Sequence, residues 1–292
     1  MRIFQSLMAG VLVLVSSSLL RAQATQPSIN PNLPTIWIAG DSTAASGERG
    51  WGSHLGSFFD LTKVNVVNKA VGGRSARTFM TEGTWQTILD QLKPADIVLI
   101  QLSHNDGAAI GSPLWRGSIP GLGDETQEVP KRDGTPEVVH TFGWYIRKYV
   151  ADVRAKGATP IMMNLTVRNI WTNPNATLRD STIIEKKENY NPADDKVERG
   201  SGQYSKWNAE LAKELKVTFV DVTNIIADEY EKMGREQAAK LFGDHTHTNP
   251  TGGELNAKLI VSGLKGLKGH PLDQYLSDKG KAVAANDKYA EK

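Results

Sequence analysis

Four consecutive branched apolar residues, Ile97-Val98-Leu99-Ile100, lie between Asp96 and the polar run Ser103-His104-Asn105-Asp106-Gly107. A short apolar run of this kind, bounded by turn residues, suits a strand of a parallel sheet covered on both faces. Parallel strands need long crossovers, usually helical, and the chain alternates accordingly. Further strands are expected at Thr35 to Ala39, Val64 to Val67, Thr159 to Leu165 and Val217 to Asp221. Helical spacing is expected at Trp51 to Phe59, Thr84 to Leu92, Val138 to Lys156, Gln203 to Leu215, Val222 to Leu241 (one helix or two) and Thr251 to Leu264. With no internal repeat and no clear linker, the pattern predicts one α/β domain: a parallel sheet of about five strands with helices on both faces.

Two stretches, 108–137 and 166–200, are long, polar and rich in turn formers, and are expected to be loops. Both follow strands, which places them at the carboxyl edge of the sheet, where open α/β sheets bind ligands. The ends of the chain read differently from its middle. Arg2, the apolar run Leu7 to Leu20 and the small-x-small site Ala22-Gln23-Ala24 predict a signal peptide over 1–24, with the run too short and too serine-rich for a spanning helix. Residues 25–34 read as a polar leader, 35–268 as the folded domain, and 269–292 as a polar, lysine-rich tail that could fray. The expected location is secreted or periplasmic, with no membrane attachment after cleavage. Removing 1–24 takes away Arg2 and Arg21 and no acid, so the 34 basic and 32 acidic residues come to zero net charge. That argues against a nucleic-acid partner. The absence of cysteine excludes disulfides and thiol chemistry.

The chemistry-bearing residues fall at strand ends. Gly40-Asp41-Ser42 follows the first strand and puts a serine at the carboxyl edge of the sheet. Read alone, the tripeptide is an ordinary turn. An activated serine needs a base and the base an orienting group. Of the six histidines, only His245 and His247 lie in an acid-containing loop, Asp244-His245-Thr246-His247. An aspartate three residues before a histidine can bend back onto its Nδ1, so Asp244 and His247 are the candidate pair. Two other readings stand beside it. Asp244, His245 and His247 could ligate a metal, although no further ligands offer themselves, or the loop could be the polar start of a helix at Asn249-Pro250-Thr251. Gly72-Gly73 after the second strand and Asn105 after the third are candidate oxyanion donors, one by a close backbone approach and one by a neutral amide.

Gly40-Asp41-Ser42, Gly73, Asn105 and Asp244-x-x-His247 resemble the four blocks of the SGNH (GDSL-type) hydrolases. Within that superfamily, Ala70 to Arg77, His104 to Gly107 and Asp244 to Pro250 are similar to the rhamnogalacturonan acetylesterases. Ser103 departs from the glycine that many relatives carry there. The resemblance, over roughly residues 35 to 265, implies a flavodoxin-like, three-layer α/β/α sandwich and ester hydrolysis without metal or cofactor. It implies Ser42 as nucleophile, His247 as general acid/base, Asp244 as its orienter, and an oxyanion hole of the Ser42 and Gly73 N–H groups and the Asn105 amide. The implied partner is an acetylated polysaccharide or oligosaccharide, pectic rhamnogalacturonan first. The alternatives are xylan, another acetylated glycan or a lipid-like ester, or a non-catalytic glycan-binding protein on the same fold. Trp115 and Trp171, in the long loops, are candidates for stacking on sugar. Arg74 and Arg77 are candidates for meeting galacturonate carboxylates, with structural ion pairing as the plainer role.

Overall fold

A computed structural model describes residues 29–45, 47–111, 114–200 and 202–289. The expected signal peptide, 1–24, lies outside the described residues.

The chain runs β1 (Thr35–Gly40), α1 (Trp51–Leu55), β2 (Asn65–Asn68), α2 (Ala76–Thr81), α3 (Thr84–Leu89) and β3 (Ile97–Gln101). A hairpin of β4 (Thr126–Pro130) and β5 (Pro136–His140) follows, then α4 (Phe142–Ala155) and β6 (Thr159–Met163). The short strands β7 (Trp171–Thr172), β8 (Ala176–Arg179), β9 (Thr182–Lys186) and β10 (Lys196–Val197) come next. The chain then continues through α5 (Tyr204–Leu215), β11 (Thr218–Val220), α6 (Val222–Met233), α7 (Arg235–Ala239), α8 (Pro250–Lys265) and α9 (Asp278–Lys281).

Five parallel strands form the central sheet in the order β11-β6-β3-β1-β2. β1 is buried along its whole length, so its alternating side chains feed two separate cores. Ile36 and Ile38 pack with Trp51, Leu55, Ile226 and Ile260, on the face carrying α1, α6 and α8. Trp37 and Ala39 pack with Phe79, Ile88, Tyr149 and Leu211, on the face carrying α2 to α5. The result is the expected three-layer sandwich. Each fully buried large apolar side chain contributes about 1.5–3 kcal/mol, so neither layer is dispensable. After β1 the chain moves outward to β2 and then returns to the other side of β1 as β3. That reversal opens a crevice at the carboxyl ends of β1 and β3, the position where doubly wound sheets bind ligands.

Three regions differ from their sequence reading. The 108–137 stretch carries the β4–β5 hairpin, turned at Asp133-Gly134 with Gly134 at φ 82° and the Asp133 side chain accepting from Thr135. Asp-Gly between apolar positions is a hairpin signal, and Val129 and Val139 are the residues the hairpin buries. Residues Val138–His140 therefore belong to β5, and the helix begins later, where the Thr141 hydroxyl caps it by accepting from the Trp144 N–H. The 166–200 stretch likewise holds two small antiparallel pairs, β7 with β10 and β8 with β9. The tail expected to fray is docked: Leu272, Leu276 and Val283 are buried, Leu276 bridges to Phe59, and the Ser277 N–H donates to the Phe58 carbonyl. Its apolar residues are few and widely spaced, so composition concealed them. Val222 to Leu241 is two helices, broken at Gly234 with φ 81°.

Arg77, at the start of α2, is fully buried. Its guanidinium donates to both carboxylate oxygens of Glu137 on β5 at 2.9 and 2.7 Å, and to the Gly117 carbonyl at 2.8 Å. This pins the long insertion to the sandwich, and it takes Arg77 out of contention for a substrate carboxylate. Glu137→Ala leaves a buried cation without its partner and is expected to cost about 3–5 kcal/mol. Arg77→Met combined with Glu137→Leu should recover most of that loss, measured by urea unfolding of the three proteins.

Candidate active site

Gly40 closes β1 where a Cβ would lie 2.9 Å from that of Ala44 and 3.2 Å from the Gln101 carbonyl oxygen, so the chain can turn tightly against β3. The turn is fixed by the buried Asp41. Its carboxylate accepts from the N–H and hydroxyl of Thr43, each at 2.9 Å, and from the His104 N–H at 3.4 Å. Gln101, the last residue of β3, accepts from the Trp51 indole at 3.1 Å, and its side-chain oxygen lies 3.1 Å from the Thr43 hydroxyl oxygen. Ser42 is held between these contacts, partly exposed at the mouth of the crevice.

His247 reaches it from the loop before α8. Its Nε2 lies 2.8 Å from Ser42 Oγ, and its Nδ1 lies 2.8 and 3.1 Å from the two carboxylate oxygens of Asp244. The carboxylate accepts only, so it assigns the ring proton to Nδ1 and leaves Nε2 to accept from the serine hydroxyl. Asp244 also accepts from the N–H groups of Thr246 and His247, at 2.8 and 2.7 Å. Desolvation pushes its carboxyl up, but those N–H groups and the imidazole outweigh it and hold the group down at about 2. Asp244 therefore stays ionised through the neutral pH range. His245, by contrast, is exposed, and its carbonyl accepts from the Asn169 N–H. Among the described residues no group of three or more His, Asp or Glu is arranged to hold a metal.

The candidate oxyanion donors converge on the same cleft. Gly73 has φ 78°, a left-handed conformation that favours glycine. Asn105 is 9% exposed and spends one amide hydrogen on the Arg74 carbonyl at 2.9 Å, which leaves the other for a ligand. Among the described residues, neither the Ser42 nor the Gly73 N–H has a protein acceptor. Ser42, Gly73, His104, Asn105 and His247 line a cleft of about 540 Å³. A second cleft of about 720 Å³, shared at Gly73 and Arg116, extends it past Trp115.

Four residues at the site were not singled out from sequence. Asp106, read only as part of a turn, accepts from the Ala76 N–H and the Ser118 hydroxyl, joining the loops around Gly73 and Asn105. Burial pushes its carboxyl up to about 7 against those hydrogen bonds. His104 bonds Thr166 through Nε2; burial draws its ring down to about 4, opposed by Asp41 and reinforced by Arg168 and His247. Arg116 and Arg168 enter from the two long insertions, whose sequences carry no motif to mark them. Trp171 is buried, its indole held by Asn169, and serves to pin its loop. Arg74 lies in the second cleft, paired with Glu82 at 2.7 Å.

A family model described as GDSL-like lipase/acylhydrolase matches residues 38–255. The rhamnogalacturonan acetylesterase of Emericella nidulans is 32% identical over 231 residues, covering 79% of this chain and 84% of that one. RhgT, a rhamnogalacturonan acetylesterase of Bacillus subtilis, is 27% identical over 268 residues, covering 84% and 96%. Among solved structures, YxiM of Bacillus subtilis superposes with a TM-score of 0.57 at 24% identity, covering 80% of this chain. The chain spans 56% of the length of that structure. A variant of Axe2, an acetyl-xylooligosaccharide esterase from Geobacillus stearothermophilus, gives 0.50 at 16% identity, covering 78% of this chain and 92% of that one. These two likenesses speak to the fold.

Ser103, two residues before the candidate donor Asn105, is buried at φ 150°, and its hydroxyl accepts from the Asn208 amide at 2.9 Å. The hydroxyl thus holds a backbone conformation that glycine adopts more readily. Ser103→Ala loses the acceptor and keeps the strain. Ser103→Gly loses the same bond but releases about 1–3 kcal/mol of strain. Thermal unfolding should therefore rank the glycine variant above the alanine variant.

Proposed function

The chain belongs to the GDSL-like lipase/acylhydrolase family and is a carboxylic ester hydrolase, and we propose that it removes O-acetyl groups from an acetylated glycan, pectic rhamnogalacturonan first. The observation that carries the reading is the continuous chain from Asp244 through His247 to Ser42, with 2.8 Å at each link. The names of the relatives, two of them rhamnogalacturonan acetylesterases, support the choice of substrate.

In this reading Ser42 Oγ attacks the acetyl carbonyl carbon while His247 Nε2 takes the hydroxyl proton. The charge that develops on the carbonyl oxygen is met by the N–H groups of Ser42 and Gly73 and by the free amide hydrogen of Asn105. Donors fixed before the reaction need no reorganisation as charge appears, which is why such sites account for much of the rate. The tetrahedral species collapses as His247 returns its proton to the sugar oxygen, leaving an acetyl-serine. Water then attacks the acetyl group, giving its proton to the same nitrogen, and acetate departs with Ser42 restored. Asp244 stabilises the imidazolium in both halves. Among the described residues no helix is long and apolar enough to cross a membrane. We propose that residues 1–24 serve export, which puts the enzyme where plant-wall glycans are met.

Ser42→Ala should fold normally and lose nearly all hydrolysis of p-nitrophenyl acetate; a variant with near-parental turnover would place the nucleophile elsewhere. A purified parent protein inert toward that ester would favour a glycan-binding role. Asn105→Ala should lower turnover by about a hundred- to a thousand-fold with little change in KM, and Asn105→Asp should be worse, because an ionised carboxylate repels the oxyanion. If Asn105 only makes a turn, the alanine variant will lose melting temperature and keep its turnover. Every proton transfer and charge contact in this scheme is assigned to the protein, so excess EDTA should leave the rate unchanged. Inactivation reversed by a divalent ion would instead revive the metal reading of Asp244, His245 and His247.

A further inference from the structure

Five arginines of the described chain have carboxylate partners within 3 Å: Arg74, Arg77, Arg147, Arg199 and Arg235. Arg116 and Arg168 do not. Both line the catalytic cleft, both are partly buried, and in each the guanidinium Nε is buried with no acceptor among the described residues. Leaving a buried charged donor unsatisfied is costly, so two such groups in one cleft call for a reason. Their placement is specific. Arg116 Nη1 lies 3.7 Å from where a Cβ on Gly73 would stand, and Arg168 Nη2 lies 3.4 Å from the His104 carbonyl. The two cations thus flank the proposed oxyanion donors, one at the loop after β2 and one at the loop after β3. The carboxylates of the adjoining cleft are already engaged: Glu82 by Arg74, Glu137 by Arg77, and Asp133 by Thr135. Lys131 and Arg132 add further positive charge to that wall.

We infer that Arg116 and Arg168 form a carboxylate clamp over Ser42, and that the enzyme selects acetylated saccharides in which a uronate lies on or beside the acetylated sugar. The inference rests on the esterase reading above and adds the feature of the substrate that is recognised. A guanidinium fork matches a carboxylate in two parallel hydrogen bonds. The anion must belong to the same molecule as the ester, since it has to lie in the cleft while Ser42 reacts. A neutral acetylated glycan offers neither fork a carboxylate.

The test compares an acetylated galacturonate-containing oligosaccharide with the same oligosaccharide after its carboxyl groups are reduced to alcohols. The readout is kcat/KM for acetate release, with p-nitrophenyl acetate as a check on the parent enzyme. Hydrogen bonds to charged groups set the expected scale: the parent should prefer the acid form by about ten- to a hundred-fold, and less so at high salt. Arg116→Gln and Arg168→Gln should each shrink that preference, the double variant should bring the ratio near one, and Arg116→Lys should restore part of it. A parent that cleaves both oligosaccharides with equal kcat/KM overturns the clamp without needing any variant. So do folded variants, verified by circular dichroism, that keep the parental preference. A parent inert toward p-nitrophenyl acetate as well as both oligosaccharides overturns the esterase reading and the clamp together.

Discussion

The buried carboxylate of Asp41 is the contact on which the carboxyl end of the sheet depends. One of its oxygens takes both the N–H and the hydroxyl of Thr43, and the other faces the His104 N–H. The ends of β1 and β3 are thereby joined at the place where the sheet's connections part. Ser42 inherits its position from that join, and so does the distance from Ser42 to the loop bearing Asn105. A buried carboxylate is expensive unless its oxygens are filled, and here they are filled by groups from both strands. Asp106 does the same one layer out, drawing the start of α2 and the Ser118 segment onto the loop that follows β3.

The Asp244–His247 pair is different in kind. The side chains are 46% and 35% exposed, so water screens the attraction between them and their mutual stabilisation is small. What the loop contributes is direction. Two backbone N–H groups hold the carboxylate, the carboxylate holds Nδ1, and Nε2 is left facing the serine. An exposed pair can be aimed this closely because its loop is itself tied down: the Gly243 N–H donates to the His247 carbonyl, and the Arg49 carbonyl accepts from the Thr248 hydroxyl. Orientation here comes from short local hydrogen bonds, and the hydrophobic core serves only as the platform beneath them.

Part of the chain's backbone strain, at Ser103 and Trp115 though not at Ala95, Asp180, Lys216 or His270, lies around the same cleft. Gly73, Ser103 and Trp115 all have positive φ, and each belongs to a loop lining or supporting it. The sandwich below is regular, with apolar side chains alternating between two cores. That division lets the loops adopt conformations that the strands could not sustain, because the free energy of the packed layers exceeds the strain above them.

The sequence by itself determined the sheet and where the candidate site residues fall along it. Apolar runs such as Ile97 to Ile100 have one low-energy fate, burial on both faces, and a parallel sheet follows from the helical spacing between them. Ser42, Gly73, Asn105, Asp244 and His247 were legible because each sits one turn past a strand or before a helix, where chain direction fixes which edge it occupies. Only the tertiary structure decided the rest. Arg77 and Arg116 are the same residue type, yet Glu137, sixty positions from Arg77 in the chain, neutralises the first, and no carboxylate among the described residues reaches the second. Trp171 became a loop anchor and the tail a docked segment for a similar reason. Side chains in long insertions are placed by contacts distant in sequence, and no local period or spacing records which of those contacts form.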